Sequence, residues 1–338
     1  MGSAQVLKVI PTHSTFTAEV EGVDWSSDLS DDVFQEIQAA LDQYGVLVCR
    51  NAGLDDARHI AFAKRFGELD DMSPHVKNGY KLRIPVELFD ISNIDSEGNV
   101  FSERDPAKLA MAKGNTLWHA DLAFNARRTG VSILRAHKLP PKGTGGETEF
   151  LDARQAYDDL SSAMKDRLEP LVANNSLMLN RKMAAPDFFK DIEPEDFPMA
   201  KHKIVVPHPA SGRKTLYLTT YCHHFDGMSF EESQALLDEL WAHCTQPKYR
   251  KTVEWQNDGD LVMWDNTAVL HRAQAGAQYI GRYPRDMRRA SVFDMGPFGW
   301  GLNDPNVPMR QGLDWKKAEK AKESAEMTRA ISVQTMQA

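Results

Sequence analysis

GDLVMW, residues 259–264, is a short apolar run that begins at a glycine turn, ends in tryptophan and is followed by the polar turn DNT. Runs of this length, rich in aliphatic and aromatic residues and bounded by turn formers, read as strands. VSILRAH (131–137), KIVVPH (203–208), TLYLTT (215–220) and RASVFD (289–294) repeat the pattern, with Pro and Gly between them. That spacing predicts a sandwich or barrel of β-strands.

Helical grammar interrupts the strands. SDDVFQEIQAALDQYG (30–45) puts Val33, Phe34, Ile37, Leu41 and Tyr44 on one face, with Ser30 or Asp31 to cap the start and Gly45 the end. The strand-like VLVCR follows at once. DDARHIAFAKRFG (55–67) repeats the arrangement, turning Ile60, Phe62, Ala63 and Phe66 inward and leaving His59 at the surface or half buried. Helices are also predicted over 152–170, through Ala156, Leu160, Met164 and Leu168, and over 230–244. Between them, residues 68–117 are irregular and polar, with Pro74, Pro85 and Pro106, as expected of a long functional loop.

Composition narrows the function classes. The chain has 338 residues, 42% hydrophobic and 26% charged, which suits a packed globular domain. A net charge of −8 argues against a nucleic-acid or anionic-membrane surface, and an anionic small substrate would need a local basic pocket. The three cysteines lack CxxC spacing and read as reduced thiols, and no stretch has signal-peptide or membrane-span character. Gly2 is no myristoylation signal, because Val6 stands where Ser or Thr is required. A cytoplasmic protein is expected.

Chemistry concentrates in LWHADLAF (117–124), where His119 and Asp121 project from one face of an extended segment. An HxD tripeptide is weak alone, since 11 histidines would produce about one by chance. A third imidazole from another strand, His271 in LVMWDNTAVLHRA, would complete a 2-His-1-carboxylate set with open positions on iron(II). The same donors could hold a hydrolytic zinc, although no general base at the usual helical spacing is visible. A dicarboxylate cosubstrate would need a buried cation, and GRYPRDMRRASVFD offers Arg282, Arg285, Arg288 and Arg289, with Arg285 and Arg289 on one strand face and Arg288 on the other. For any one of these arginines a solvated basic face is the competing reading. His223 and His224, neighbours on a strand, should point to opposite faces and serve structure; His137, His202, His208 and His243 have no ligand spacing. Trp118 and Trp264 read as walls beside the ligands.

LWHADLAF, PPKGTGGETEF (140–150), DGDLVMWDNTAVLHR (258–272) and RDMRRAS (285–291) together resemble the TauD/TfdA family, over roughly residues 6–295. DISNIDSEGNV (90–100) and HPASGRKTLYL (208–218) draw it toward the 2,4-dichlorophenoxyacetate dioxygenase branch. The resemblance implies a mainly β fold with flanking helices, built on a double-stranded β-helix of the jelly-roll, cupin-like kind. It implies iron(II) on His119, Asp121 and His271, with 2-oxoglutarate and O2 as cosubstrates. Thr148 and Arg285 would bind 2-oxoglutarate, and Arg289 would meet the anionic group of a small organic substrate. His75 and Asn115 fall where the family's substrate-facing residues lie, though the preceding loop differs in length and sequence. One dioxygenase domain over 1–312, with 68–117 as its active-site loop, and a charged, helix-prone tail over 313–338 complete the expectation, and a homo-oligomer is compatible with it. Hydroxylation or oxidative cleavage is the expected outcome; desaturation or another tailoring oxidation, zinc hydrolysis and non-catalytic acid binding are the alternatives.

Overall fold

A computed structural model describes residues 7–77, 81–101, 106–307 and 309–311; the tail predicted over 313–338 lies outside them. In chain order the strands are β1 (Lys8–Pro11), β2 (Ala18–Glu21), β3 (Val46–Cys49), β4 (Phe89–Asp90), β5 (Thr129–Lys138), β6 (Thr148–Asp152), β7 (Val172–Asn175), β8 (Ala200–Lys203), β9 (Val205–His208), β10 (Arg213–Leu216), β11 (Cys222–Phe225), β12 (Arg250–Val253), β13 (Leu261–Asp265), β14 (Val269–Ala273) and β15 (Asp286–Phe293). The α-helices are α1 (Asp31–Tyr44), α2 (Asp56–Lys64), α3 (Ser73–Lys77), α4 (Pro106–Lys113), α5 (Ala153–Asp158), α6 (Ser162–Leu168), α7 (Leu177–Ala184) and α8 (Phe230–Cys244).

Two sheets form the core, one of order β1-β2-β3-β13-β5-β15-β4 and one of order β12-β6-β14. Side chains alternate across a strand, and this decides which layer each residue joins. From β3, β5, β13 and β15, the residues Leu47, Cys49, Ile133, Leu261, Met263, Ala290 and Val292 pack outward beneath Val33, Phe34, Ile37 and Leu41 of α1 and Phe62 of α2. Their neighbours Val46, Val48, Leu134, Ala136, Val262, Trp264 and Met287 face inward against Phe150, Val253 and Val269 of the small sheet. Two sheets closed on one shared interior make the double-stranded β-helix, with helices on its outer faces.

The helix ends follow their local chemistry. Ser30 Oγ accepts from the Val33 amide at 3.3 Å, and Gly45 takes the left-handed conformation (φ 70°), its N–H bonding Leu41 O at 2.7 Å. The expected helix over 152–170 is instead two, α5 and α6, because the Ser161 side chain caps the Met164 amide and starts a new helix. His59 is fully buried rather than half exposed; its Nε2 lies 3.1 Å from Ile133 O, so a carbonyl of β5 satisfies one ring nitrogen inside the helix–sheet layer, while Nδ1 has no hydrogen-bond partner among the described residues. The long loop holds α3, α4 and β4, and its Leu69 forms a bridge with Val292 of β15. No helix among the described residues is long and apolar enough to cross a membrane, and all three cysteines are buried and free.

Candidate active site

β13 runs into the interior, turns at Asn266 and Thr267, and returns as β14, which carries His271 on the face shared with Val269 and Ala273. His119 joins the edge of this sheet. Its N–H donates to His271 O at 3.0 Å and its carbonyl accepts from the His271 N–H at 2.8 Å. Such a directly bonded antiparallel pair projects both side chains to one side, and the two imidazole centroids lie 4.3 Å apart. Asp121 shares that side: its Oδ1 is 3.9 Å from His119 Nε2 and 3.6 Å from His271 Nε2. All three residues are buried.

Their protonation suits metal ligation. His119 Nδ1 lies 2.7 Å from Leu117 O; a carbonyl only accepts, so the proton sits on Nδ1 and the Nε2 lone pair faces the other donors. Burial, reinforced by nearby His271, lowers the His119 pKa to about 3, so the ring is neutral at physiological pH. Burial alone would raise the Asp121 pKa. The Arg289 guanidinium and His271 outweigh it and hold the carboxyl far below the usual range, hence ionised. Ser132 Oγ donates to Asp121 Oδ2 at 2.6 Å, and the Asp121 amide donates to Asn266 Oδ1 at 2.9 Å. Asn266 Nδ2 donates in turn to Ser132 Oγ at 2.9 Å, and Trp264 Nε1 donates to Asn266 Oδ1 at 3.1 Å. Leu122, next along the chain, has φ 55°, a left-handed conformation costing a non-glycine residue roughly 1–2 kcal/mol.

Two guanidiniums reach the same interior. Arg285 is 8% exposed, and among the described residues no carboxylate oxygen lies within 4.0 Å of it. One nitrogen donates to Gly146 O at 3.1 Å, while Nε has no partner. Burial lowers its pKa, and the opposing influence of Tyr279 and Glu147 offsets that only in part. Thr148, two residues after Gly146, pairs with Ala273 just as Phe150 pairs with His271, so Thr148 and His271 look into the same interior one pleat repeat apart. Thr148 Oγ1 accepts from Trp255 Nε1 at 3.3 Å. Arg289 donates through Nη1 to Asp121 Oδ1, the oxygen nearest both imidazoles. A buried cation thus stands on the interior that holds the triad, and the donor set matches iron(II) with open positions.

The remaining sequence candidates separate. His75, on α3, is half buried, with its pKa lowered to about 4 by burial first and then by Arg310. Asn115 lies half buried in the 3-10 turn Gly114–Thr116 that leads into the His119 segment. Arg282 is exposed, and Arg288 faces outward to Asp56 and Asp286. Trp264 walls the site, its ring 4.7 Å from that of His271. Trp118 does not: it lines a separate cleft of about 480 Å³ with Trp241, Arg250 and Arg272, the last 4.6 Å above its ring. His223 and His224 approach to 2.9 Å between their Nδ1 atoms instead of diverging, because the β11–β7 register shifts between Cys222 and His224. His223 Nε2 meets Glu195 at 2.9 Å.

Ser132 and Asn266 were not foreseen from the sequence. Inward parity with Leu134 was the available signal for Ser132; for Asn266, a polar residue in a tight turn, there was none.

Comparison with known proteins agrees with this geometry. The family model described as "Taurine catabolism dioxygenase TauD, TfdA family" matches residues 8–291. The alpha-ketoglutarate-dependent 2,4-dichlorophenoxyacetate dioxygenase of Cupriavidus pinatubonensis is 35% identical over 284 residues, 84% of this chain and 96% of that protein. The (S)-phenoxypropionate/alpha-ketoglutarate-dioxygenase of Sphingobium herbicidovorans is 32% identical over 272 residues, 78% of this chain and 88% of that protein. Among solved structures, that of AAD-2 in complex with Mn(II) and N-oxalylglycine superposes with a TM-score of 0.78 at 34% identity, covering 86% of this chain and 99% of that one. By sequence, fold and site, the chain belongs to the TauD/TfdA family and is a non-haem iron(II), 2-oxoglutarate-dependent dioxygenase.

Proposed function

We propose that His119, Asp121 and His271 hold the iron(II), that Arg285 and Thr148 receive the far carboxylate of 2-oxoglutarate, and that Arg289 receives the acid group of a small organic substrate of aryloxyalkanoate type. The observation that carries this reading is the buried Arg285 guanidinium with no carboxylate beside it, on the interior that holds the triad. An unpaired buried cation is costly, and a bound carboxylate is what relieves the cost. Iron(II) with 2-oxoglutarate and O2 supplies the oxidising power, releasing succinate and CO2. Every other task belongs to the chain. Leu117 O keeps the His119 proton on Nδ1 so that Nε2 can donate its lone pair, Ser132 holds the Asp121 carboxylate, and Asn266 anchors the Asp121 backbone amide and the Ser132 hydroxyl. Trp264 and Phe150 exclude water around His271. Arg289 orients the substrate acid so that a neighbouring C–H faces the metal, and hydroxylation beside an ether oxygen collapses to cleavage.

His75 and Asn115 bound the substrate side, and the sequence of their loop sets the choice of acid. Family membership decides between oxygenase and zinc-hydrolase use of one donor set.

Succinate formation measured with a panel of aryloxyacetic, aryloxypropionic and alkanesulfonic acids tests the reading. Turnover that requires both iron(II) and 2-oxoglutarate, is fastest with a carboxylate, and is abolished in His119→Ala supports it. Metal-independent turnover, or full activity in His119→Ala, refutes it.

A further inference from the structure

The family match stops at residue 291, yet the described chain continues and folds back against the segment that follows the triad residues His119 and Asp121. Arg128 N–H donates to Gly299 O at 2.9 Å, Leu302 N–H to Lys201 O at 3.0 Å, and Ala126 N–H to Met309 O at 3.1 Å. Gln311 is buried and bridges three elements. Its N–H donates to Asn125 Oδ1 at 3.0 Å, its Oε1 accepts from the Leu177 amide at 2.9 Å, and its Nε2 donates to Phe124 O and Asn175 O. Phe124 and Asn125 lie three and four residues after Asp121, so this strap is tied to the chain that carries two of the triad residues.

Arg310 reaches the opposite side. It donates to Asp70 Oδ1 and, at 3.2 Å, to Asp71 O, both on the loop that leads to His75. Asp70 is 1% exposed, and its amide donates to Ser291 O at 2.8 Å, two residues beyond Arg289 on β15. Arg289 pairs with buried Asp121, while burial raises the Asp70 pKa against the opposing charges of Arg310 first and Arg289 after it. Arg310 supplies the cation that Asp70 would otherwise seek from Arg289.

We infer that Arg310, contributed by a segment outside the family-matching region, is a positioning residue for substrate: it neutralises Asp70, pins the loop from Leu69 to His75 against β15, and so keeps Arg289 available to the substrate acid. This rests on the substrate role proposed above for Arg289.

The experiment compares wild type, Arg310→Gln, Arg310→Lys and Arg310→Gln/Asp70→Asn. Three quantities are read: amide hydrogen exchange, the affinity for N-oxalylglycine with Mn(II), and KM for the best acid of the panel. In Arg310→Gln, exchange over residues 69–75 should accelerate by about tenfold or more while β5 amides stay protected, matching about a tenfold loss of local stability constant. KM for the acid should rise by about tenfold, with N-oxalylglycine affinity within about twofold of wild type. Arg310→Lys should restore most of both effects, and Asp70→Asn should restore the acid KM because the buried charge that recruits Arg289 is gone. Unchanged exchange over 69–75, equal loss of acid and N-oxalylglycine affinity, or no rescue by Asp70→Asn would each overturn the inference. Failure of wild type to bind N-oxalylglycine with Mn(II) would count against the cofactor reading instead, and the exchange result would still decide the role of Arg310.

Discussion

Arg285 and Arg288 lie three residues apart on the segment that forms β15, and their surroundings are opposite. Arg288 points outward into a network in which Asp56 pairs with both Arg288 and Arg135, and Asp286 pairs with both Arg288 and Arg83. Arg285 points inward, is more deeply buried, and meets the Gly146 carbonyl and the Tyr279 ring, with no carboxylate oxygen within 4.0 Å among the described residues. A cation whose counter-charges are built into the fold serves the fold; one buried without a paired carboxylate is what the proposed binding of 2-oxoglutarate requires. Arg289 is the intermediate case, since its partner Asp121 is itself a candidate metal ligand. Asp121 would hold the iron through a carboxylate that Arg289 now engages, and the proposed substrate role of Arg289 would need its guanidinium freed from that contact.

The sharpest break between the two faces comes from Asp121→Ala, which should abolish iron-dependent turnover, a loss of more than about 10³-fold, with the chain still folded by circular dichroism. Full activity would remove Asp121 from the metal site. Arg285→Gln should raise the 2-oxoglutarate requirement by about 10- to 100-fold, the size of one charge-assisted contact, without lowering thermal stability, because it removes an unpaired buried charge. Steady-state kinetics with either substrate varied reads this, and a selective rise in the acid KM would exchange the roles of Arg285 and Arg289. Arg288→Gln should do the reverse: a loss of about 1–2 kcal/mol in denaturant unfolding, discounted for its part exposure, with the 2-oxoglutarate requirement unchanged.

The smallest effect concerns acid. Burial would raise the Asp286 pKa, but hydrogen bonds from Arg83 and Arg288 bring it down to about 2, below the unfolded value of about 3.9. A depressed carboxyl contributes stability that is full above its unfolded pKa and lost as pH falls through the folded one. Wild type should therefore lose stability between about pH 4 and pH 2, and Arg83→Gln should flatten that part of the pH–stability curve.

Periodicity carried the fold where elements are local. Ser30 and Gly45 bracket α1 as their chemistry requires, and the alternation in β13 sorts Leu261 and Met263 from Val262 and Trp264. The triad was legible because two of its members share strand parity and the third ends a strong strand pattern. Reading failed where a single contact outweighed the pattern. Ser161 breaks a continuous helical face, Ile133 O draws His59 inside, and the bulge after Cys222 turns His223 toward His224. Asn266 meets Asp121 from the turn after β13, and Arg310 meets Asp70 across most of the chain, so no local signal marks them, while Ser132 carries only its inward parity.

Anaerobic titration of the metal-free protein with iron(II) and then 2-oxoglutarate tests the central claim most directly. A weak visible charge-transfer band should appear only on adding 2-oxoglutarate, need far more of it in Arg285→Gln, and shift when a substrate acid binds. Bound iron(II) with no such band at any 2-oxoglutarate concentration would contradict the account.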